Sequence, residues 1–165
     1  MRKLIWPVLF LFCLSLQMSL PQTVWFKFDL PLLFVYCYAM LQGAAYGGAA
    51  GFITGLLQDI LTGGVCGFHI LTRTCIGYYV GYTKEQVFKD SILYNIVAAG
   101  VMTLLLRGCY FVVQVVLADG FSFLLLELAL QEAFAYCLGN IILVIPMCLL
   151  TEKLQRWIAV DDGLH

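Results

Sequence analysis

A few ionisable side chains interrupt the apolar stretches of this chain, and they are the residues whose types could do chemistry. They are Asp59, His69, Arg73, Arg107, Glu127 and Glu132. An ionisable group inside an apolar segment is costly, so it usually pairs with another group or faces an interior site. Structural pairing is the simplest interpretation, and partner recognition or transport of a ligand is the alternative.

Three of these residues flank a glycine-rich turn. His69 and Arg73 lie one helical turn apart and share a face, close to the helix end at which Asp59 lies. We therefore expect Asp59 to pair with His69 or Arg73, or to accept hydrogen bonds from the backbone of the turn. The candidate residues for a structural or partner-recognition role are Asp59, Gly63, Gly64, Gly67, His69 and Arg73.

A second polar group lies later in the chain. Glu132, Tyr136 and Asn140 are spaced four residues apart, which predicts a polar stripe on the last helix. Arg107 is the nearest plausible partner for this stripe. The intramembrane polar residues predicted from the sequence are Arg107, Glu127, Glu132 and Asn140.

Motifs of enzymes and metal sites are not found. Cys66 and His69 form a single Cys-x-x-His motif with Asp59 nearby, but three potential ligands without a second such set are weak evidence for a metal site. The seven cysteines are scattered through apolar runs and resemble small apolar fillers. No nucleophile elbow, zinc-protease motif or phosphate loop is present. The sequence predicts no catalytic residue, no cofactor and no metal.

Glycines recur every four residues in the middle of the chain. On a helix this spacing draws a narrow ridge of bare backbone, along which a second helix can approach closely in lipid. The predicted helix-packing ridges comprise Gly43, Gly47, Gly51 and Gly55, followed by Gly77 and Gly81.

Composition identifies an integral membrane protein. The 165 residues are 62% hydrophobic and 12% charged, whereas a soluble domain has roughly 25% charged residues. The apolar runs are unbroken, which favours helices over an outer-membrane barrel. We predict an all-α, polytopic, compact bundle of six transmembrane helices, at about residues 4–20, 30–41, 45–61, 67–82, 92–117 and 121–150, and a tail at 151–165. The first run could also be a cleaved signal peptide, although no cleavage site follows it.

The charges at the ends of these spans predict the orientation. With six spans and both termini in the cytoplasm, most basic residues outside the spans face the cytoplasm, and Lys27 lies outside. The basic residues predicted to be cytoplasmic are Arg2, Lys3, Lys84, Lys89, Lys153 and Arg156. The chain is therefore predicted to lie in a membrane, with the lipid bilayer as a partner. No basic patch indicates nucleic acid.

The segment GFITGLLQDILTGGVCGFHILTRTCIGYYVGY, residues 51–82, resembles the rod shape-determining membrane protein MreD. That family shows a span ending in Leu-x-Asp-Leu, then glycines, then Leu-Gly-x-His/Arg-x-Leu at the start of the next span. The matching residues are Leu57, Asp59, Ile60, Thr62, Gly63, Gly64, Gly67 and His69. DLPLLFVYCYAMLQG also looks like the second span of that family, and chain length and layout agree.

This resemblance implies a non-enzymatic subunit of the cell-elongation complex that helps maintain cell shape. It would bind the bitopic protein MreC, and through it help couple MreB filaments to peptidoglycan synthesis by RodA and a class B penicillin-binding protein. Under this interpretation the glycine ridge at 43–55 is a candidate groove for a partner helix.

The chief alternative is the substrate-binding membrane subunit of a vitamin importer of the energy-coupling-factor type, which has a similar six-helix layout. That family carries an Ala-x-x-x-Ala patch on its first helix. The stretch from Leu4 to Leu20 contains neither Ala nor Gly, which counts against this alternative. An intramembrane enzyme, the third possibility, would need an aligned nucleophile and base.

Overall fold

The structure, a computed structural model, describes residues 5–23, 26–63, 67–83, 92–118 and 120–161. In these ranges the chain forms six helices and no strand, which confirms the predicted all-helical class. The helices are α1 (Ile5–Ser19), α2 (Leu30–Gln42), α3 (Ala44–Thr62), α4 (Phe68–Thr83), α5 (Ile92–Leu117) and α6 (Phe123–Asp161). The predicted residues Gly64, Cys66, Arg2, Lys3, Lys84 and Lys89 lie outside the described ranges.

A single glycine separates α2 from α3. Gly43 has a φ of 94°, a left-handed conformation that L side chains rarely adopt, and its amide donates to the carbonyl of Ala39 at 2.8 Å. This helix break lies between the residue ranges 30–41 and 45–61 that the sequence analysis listed as separate spans. The last helix differs from its predicted span, because it continues past residue 150 to Asp161 despite Pro146 within it.

Helix α2 lies at the centre of the bundle. All but three of its residues are buried, and α1, α3, α4 and α6 all pack against it. Its sequence is apolar on every side, as expected of a helix that is surrounded by others. Asp29 begins this helix by accepting a hydrogen bond from the Leu32 amide at 3.0 Å, and Pro31 occupies the first turn.

Helices α3 and α4 pack backbone to backbone through the two glycine ridges. A Cβ added at any of five glycines would overlap backbone atoms of the facing helix. These positions are Gly47, Gly51 and Gly55 of α3 and Gly77 and Gly81 of α4. Small residues permit this close approach in an apolar environment. The ridge at 43–55, predicted as a groove for a partner helix, is instead covered by α4 of the same chain.

Two helices have the length and apolar composition of a membrane span. They are α5 and the segment Phe123–Ile158 of α6, whereas α1 and α2 are shorter apolar helices. About 20 residues are needed to cross the hydrocarbon core. The largest fully buried side chain of the bundle is a charged one, Arg73.

Candidate functional site

Arg73 forms a buried ion pair with Asp29. Nη2 of Arg73 lies 2.6 Å from Oδ1 of Asp29, and the two residues are 0% and 5% exposed. Burial alone would raise the pKa of Asp29, but the Arg73 guanidinium and the Leu32 amide hold that pKa below its ordinary value. The sequence analysis named Arg73 as a partner for Asp59, and the structure gives it a different carboxylate.

Asn140 joins this ion pair to the two long helices. Its side-chain oxygen accepts the backbone amide of Asp29 at 2.8 Å, and its Nδ2 donates to Oγ1 of Thr103 at 2.9 Å. Thr103 in turn donates to the carbonyl of Ala99 at 2.7 Å. Asn140 and Thr103 are fully buried, so these satisfied hydrogen bonds fix the loop before α2 against α5 and α6.

Arg107 of α5 lies against the polar stripe of α6. Its guanidinium carbon is 3.4 Å from the centre of the Tyr136 ring, and its Nη1 is 3.8 Å from Oε2 of Glu132. The other oxygen of Glu132 lies 2.6 Å from Nζ of Lys27. Glu132 is therefore shared between a lysine of the loop and an arginine of α5. The sequence analysis paired Arg107 with this stripe but did not include Lys27.

Asp59 connects the end of α3 to the start of α4. Its two carboxylate oxygens accept the backbone amides of Gly67, His69 and Ile70 at 3.0, 3.2 and 3.2 Å. Its Oδ1 also lies 2.8 Å from Nδ1 of His69. The first amides of a helix have no partner within the helix, so a carboxylate at this position satisfies them and interacts favourably with the helix dipole. Of the two expected partners, His69 contacts Asp59.

These elements line a cavity of about 340 Å³, within the range of small-molecule pockets. The end of α1, the loop before α2, the end of α3, the start of α4 and the facing parts of α5 and α6 all contribute to its lining. The lining residues are Gln17, Met18, Asp29, Gln58, Thr62, Phe68, His69, Leu106, Arg107, Tyr110 and Tyr136. Aromatic rings and polar groups therefore line the same cavity.

Two polar atoms of this lining are buried without a hydrogen-bond partner among the described residues. They are Oε1 of Gln58, an acceptor, and Nε of Arg107, a donor. A buried polar group left unpaired costs about 1–3 kcal/mol. A ligand that supplies one donor and one acceptor would remove both penalties, so these atoms favour a polar organic molecule over an apolar one.

The sequence analysis missed Asp29, Gln17 and Gln58 as site residues. Asp29 lies in the sequence Asp-Leu-Pro, which is a signal for a helix start and was the available clue. The two glutamines interrupt otherwise apolar runs, which was the available signal. Glu127, which was predicted, is exposed and is not among the described residues that line this cavity. No cluster of three metal-ligating side chains occurs in the described ranges.

Two helices of spanning length in an all-helical, strongly apolar chain indicate a helical membrane protein, and a cavity of about 340 Å³ lies among its helices. The family model of the ECF-type riboflavin transporter, S component, matches residues 7–156. The chain belongs to this family. It is therefore a component of a transporter, which the sequence analysis gave as the alternative. Membership of this family also confirms the prediction that the protein is not an enzyme. Comparisons with curated proteins and with solved structures gave no match.

The family match overturns the resemblance to MreD. The assigned role in cell shape and peptidoglycan synthesis is wrong, and so are the partners MreC, MreB, RodA and the class B penicillin-binding protein. The residues behind that resemblance have a local physical role, because Asp59 caps α4 across a glycine turn. The absence of Ala-x-x-x-Ala from α1 did not exclude a transporter component.

Proposed function

We propose that this protein is the substrate-binding membrane subunit of a riboflavin importer of the energy-coupling-factor type, and that riboflavin binds in the 340 Å³ cavity. The observation that carries the proposal is the composition of that cavity, in which three aromatic rings lie beside unpaired polar atoms. The family match supplies the identity of the vitamin.

The chemistry of riboflavin suits this lining. Its isoalloxazine ring is flat and aromatic, and one edge presents carbonyl oxygens and an N–H, while the ribityl chain presents hydroxyl groups. Phe68, Tyr110 and Tyr136 offer ring faces and edges, and the Phe68 and Tyr110 rings already meet edge to face at 5.5 Å. Arg107 Nε can donate to a flavin oxygen, and Gln58 Oε1 can accept from an N–H or a hydroxyl.

The backbone around the cavity is held rigidly, which lowers the entropic cost of binding. The start of α4, with Phe68 and His69, is fixed by the Asp59 cap. The loop before α2 is fixed by Asn140 and by the ion pair of Asp29 with Arg73.

All six helices cross the cytoplasmic membrane in this proposal, with both termini in the cytoplasm. The ends of α1 and α3 and the starts of α2 and α4 then lie on the outer side, and each contributes to the cavity. The cavity is accordingly placed to take its ligand from outside the cell. Lys153 and Arg156, near the end of α6, lie on the cytoplasmic side, in agreement with the positive-inside rule.

The protein works with the other components of such a transporter, EcfA and EcfT, which supply the energy for uptake. In this arrangement the chain captures the vitamin, and transport requires the assembled complex. Co-expression with these components, followed by measurement of labelled riboflavin uptake, tests this part of the proposal. Uptake by the isolated chain at the rate of the full complex would contradict it.

Riboflavin binding is tested by titrating the detergent-purified chain with riboflavin and following flavin fluorescence. Stacking on the aromatic rings should quench that fluorescence. Arg107→Gln should weaken binding by roughly tenfold or more, because a hydrogen bond from a charged donor contributes about 1.5–3 kcal/mol. Arg156→Gln is the matched control, since Arg156 is 82% exposed and lies far along α6. Absence of riboflavin binding, or equal affinities in the two variants, would contradict the proposal.

A further inference from the structure

We propose that Glu132 sets the charge preference of the cavity, so that the protein favours uncharged riboflavin over flavins that carry a phosphate. This inference rests on the proposed function, because it concerns the ligand of the same site. It assigns a specificity role to a residue that is not among the described residues lining the 340 Å³ cavity.

Among the described residues, the cavity lining contains one carboxylate, that of Asp29, and one guanidinium, that of Arg107, in addition to the imidazole of His69. Asp29 is already neutralised by Arg73 at 2.6 Å, inside the protein. Arg107 is therefore the cation of the lining that could receive an anionic ligand. Nη1 of Arg107 lies 3.8 Å from Oε2 of Glu132, and its guanidinium carbon lies 3.4 Å from the centre of the Tyr136 ring.

Glu132 also contacts a lysine. Nζ of Lys27 lies 2.6 Å from Oε1 of Glu132. Both residues line a second cavity of about 240 Å³, together with Gln114, Gln131 and three apolar side chains. Glu132 therefore contacts one cation of each cavity, Arg107 of the first and Lys27 of the second.

A flavin phosphate would meet an unfavourable arrangement here. A phosphate monoester carries about −1.5 to −2 charges at neutral pH. To pair with Arg107 or Lys27 it must compete with the Glu132 carboxylate, which repels it. A neutral flavin avoids this competition, because it can accept a hydrogen bond from the unpaired Nε of Arg107 while Nη1 stays with Glu132.

The experiment compares the affinities of riboflavin and riboflavin 5′-phosphate for the purified, full-length protein. Wild type should bind riboflavin more tightly. Glu132→Gln should reduce this preference by about tenfold or more, equivalent to about 1.4 kcal/mol. The change should come from tighter binding of the phosphate ester, because both cations lose their carboxylate.

Two further variants of α6 serve as controls. Glu132→Asp keeps the negative charge and should retain most of the preference for riboflavin. Glu127→Gln removes a carboxylate from the same helix at an exposed position, which is not among the described residues lining either cavity. This second control should leave both affinities unchanged.

Lys27→Met should change the preference for riboflavin in the opposite direction, and it tests the inference even if Glu132→Gln does not fold. Without Lys27, Glu132 is free to neutralise Arg107 alone, so the preference for riboflavin should rise. An unchanged preference in Glu132→Gln, or a falling one in Lys27→Met, would overturn the inference. Wild type that binds both flavins equally would overturn it as well. Wild type that binds neither flavin would instead contradict the proposed function.

Discussion

Replacing Gly55 by alanine is expected to weaken flavin binding by moving one wall of the cavity. Gly55 lies where α3 meets the beginning of α4, and a Cβ there would be 2.6 Å from the Cα of Ile70. Ordinary contacts begin at 3.4 Å, and the neighbouring atom is backbone, which cannot rotate away. The two helices must therefore separate, and the start of α4 carries Phe68 and His69 of the cavity lining with it.

The size of the effect follows from this geometry. The helices must separate by about 1 Å, and overpacking of this kind costs about 1–3 kcal/mol. The higher helix propensity of alanine offsets about 1 kcal/mol of that cost, so the loss of stability is about 0–2 kcal/mol and the chain still folds. A displacement of about 1 Å removes most of a hydrogen bond of about 1 kcal/mol and loosens aromatic contacts. Together these losses predict an affinity that is lower by roughly tenfold.

The assay is fluorescence titration with riboflavin, with thermal unfolding in the same detergent as a check on folding. Gly48→Ala is the matched control, because Gly48 lies on α3 like Gly55. A Cβ at Gly48 would lie 3.5 Å from the Cβ of Tyr78 on α4, which is an ordinary contact. The control should bind riboflavin normally and should be no less stable than wild type. Equal affinities for Gly55→Ala and Gly48→Ala would refute the reasoning that glycine packing positions the cavity.

Two stability predictions concern the buried charges. Arg73→Met should lower the free energy of unfolding by about 3–5 kcal/mol, because Asp29 is left buried without its partner. Arg156→Met removes an exposed ion pair with Glu152 and should change the free energy of unfolding by less than about 1 kcal/mol. Similar losses of stability in these two variants would contradict the role of the buried pair of Arg73 with Asp29. Asp59→Ala should cost about 1–2 kcal/mol, as expected for a lost helix cap, and should increase amide hydrogen exchange at the first turn of α4. Unchanged exchange in that turn would show that Asp59 does not hold it.

The helices themselves could be predicted from the sequence, because the length of an apolar run and the glycines that interrupt it determine structure locally. The break at Gly43 followed from a run too long for one crossing, and the glycine spacing predicted close helix packing. The partner of each ridge could not be predicted. Spacing shows that residues 47, 51 and 55 share a face, but only the fold shows that α4 covers that face.

The candidate site was harder to predict, because its charges pair over long distances in sequence. Arg73 pairs with Asp29, and Lys27 with Glu132, across 44 and 105 residues. The sequence analysis favoured partners that are close in sequence, and it therefore named Asp59 as a possible partner of Arg73. It found Arg107 and the polar stripe of α6 by the rarity of such groups in apolar helices, which is a physical signal independent of separation.

The resemblance to MreD failed for a related reason. The described residues among those quoted form the end of α3, which closes at Gly63, and a carboxylate, that of Asp59, that caps the next helix. Any two antiparallel membrane helices with a short connection need to satisfy the same backbone amides. A motif of that kind describes a local structure and cannot identify partners or function.

The two sides of the cavity are built differently, and this difference separates the predicted variants. On the side of α3 and α4, backbone packs on backbone, so Gly55→Ala changes the shape of the site without changing its charge. This variant should weaken the binding of riboflavin and of its phosphate ester to the same extent. On the side of α5 and α6, side-chain charges determine the environment, so Glu132→Gln should change the ratio of the two affinities. A variant of the first kind that altered this ratio would mean that shape, and not the Glu132 carboxylate, discriminates against the phosphate.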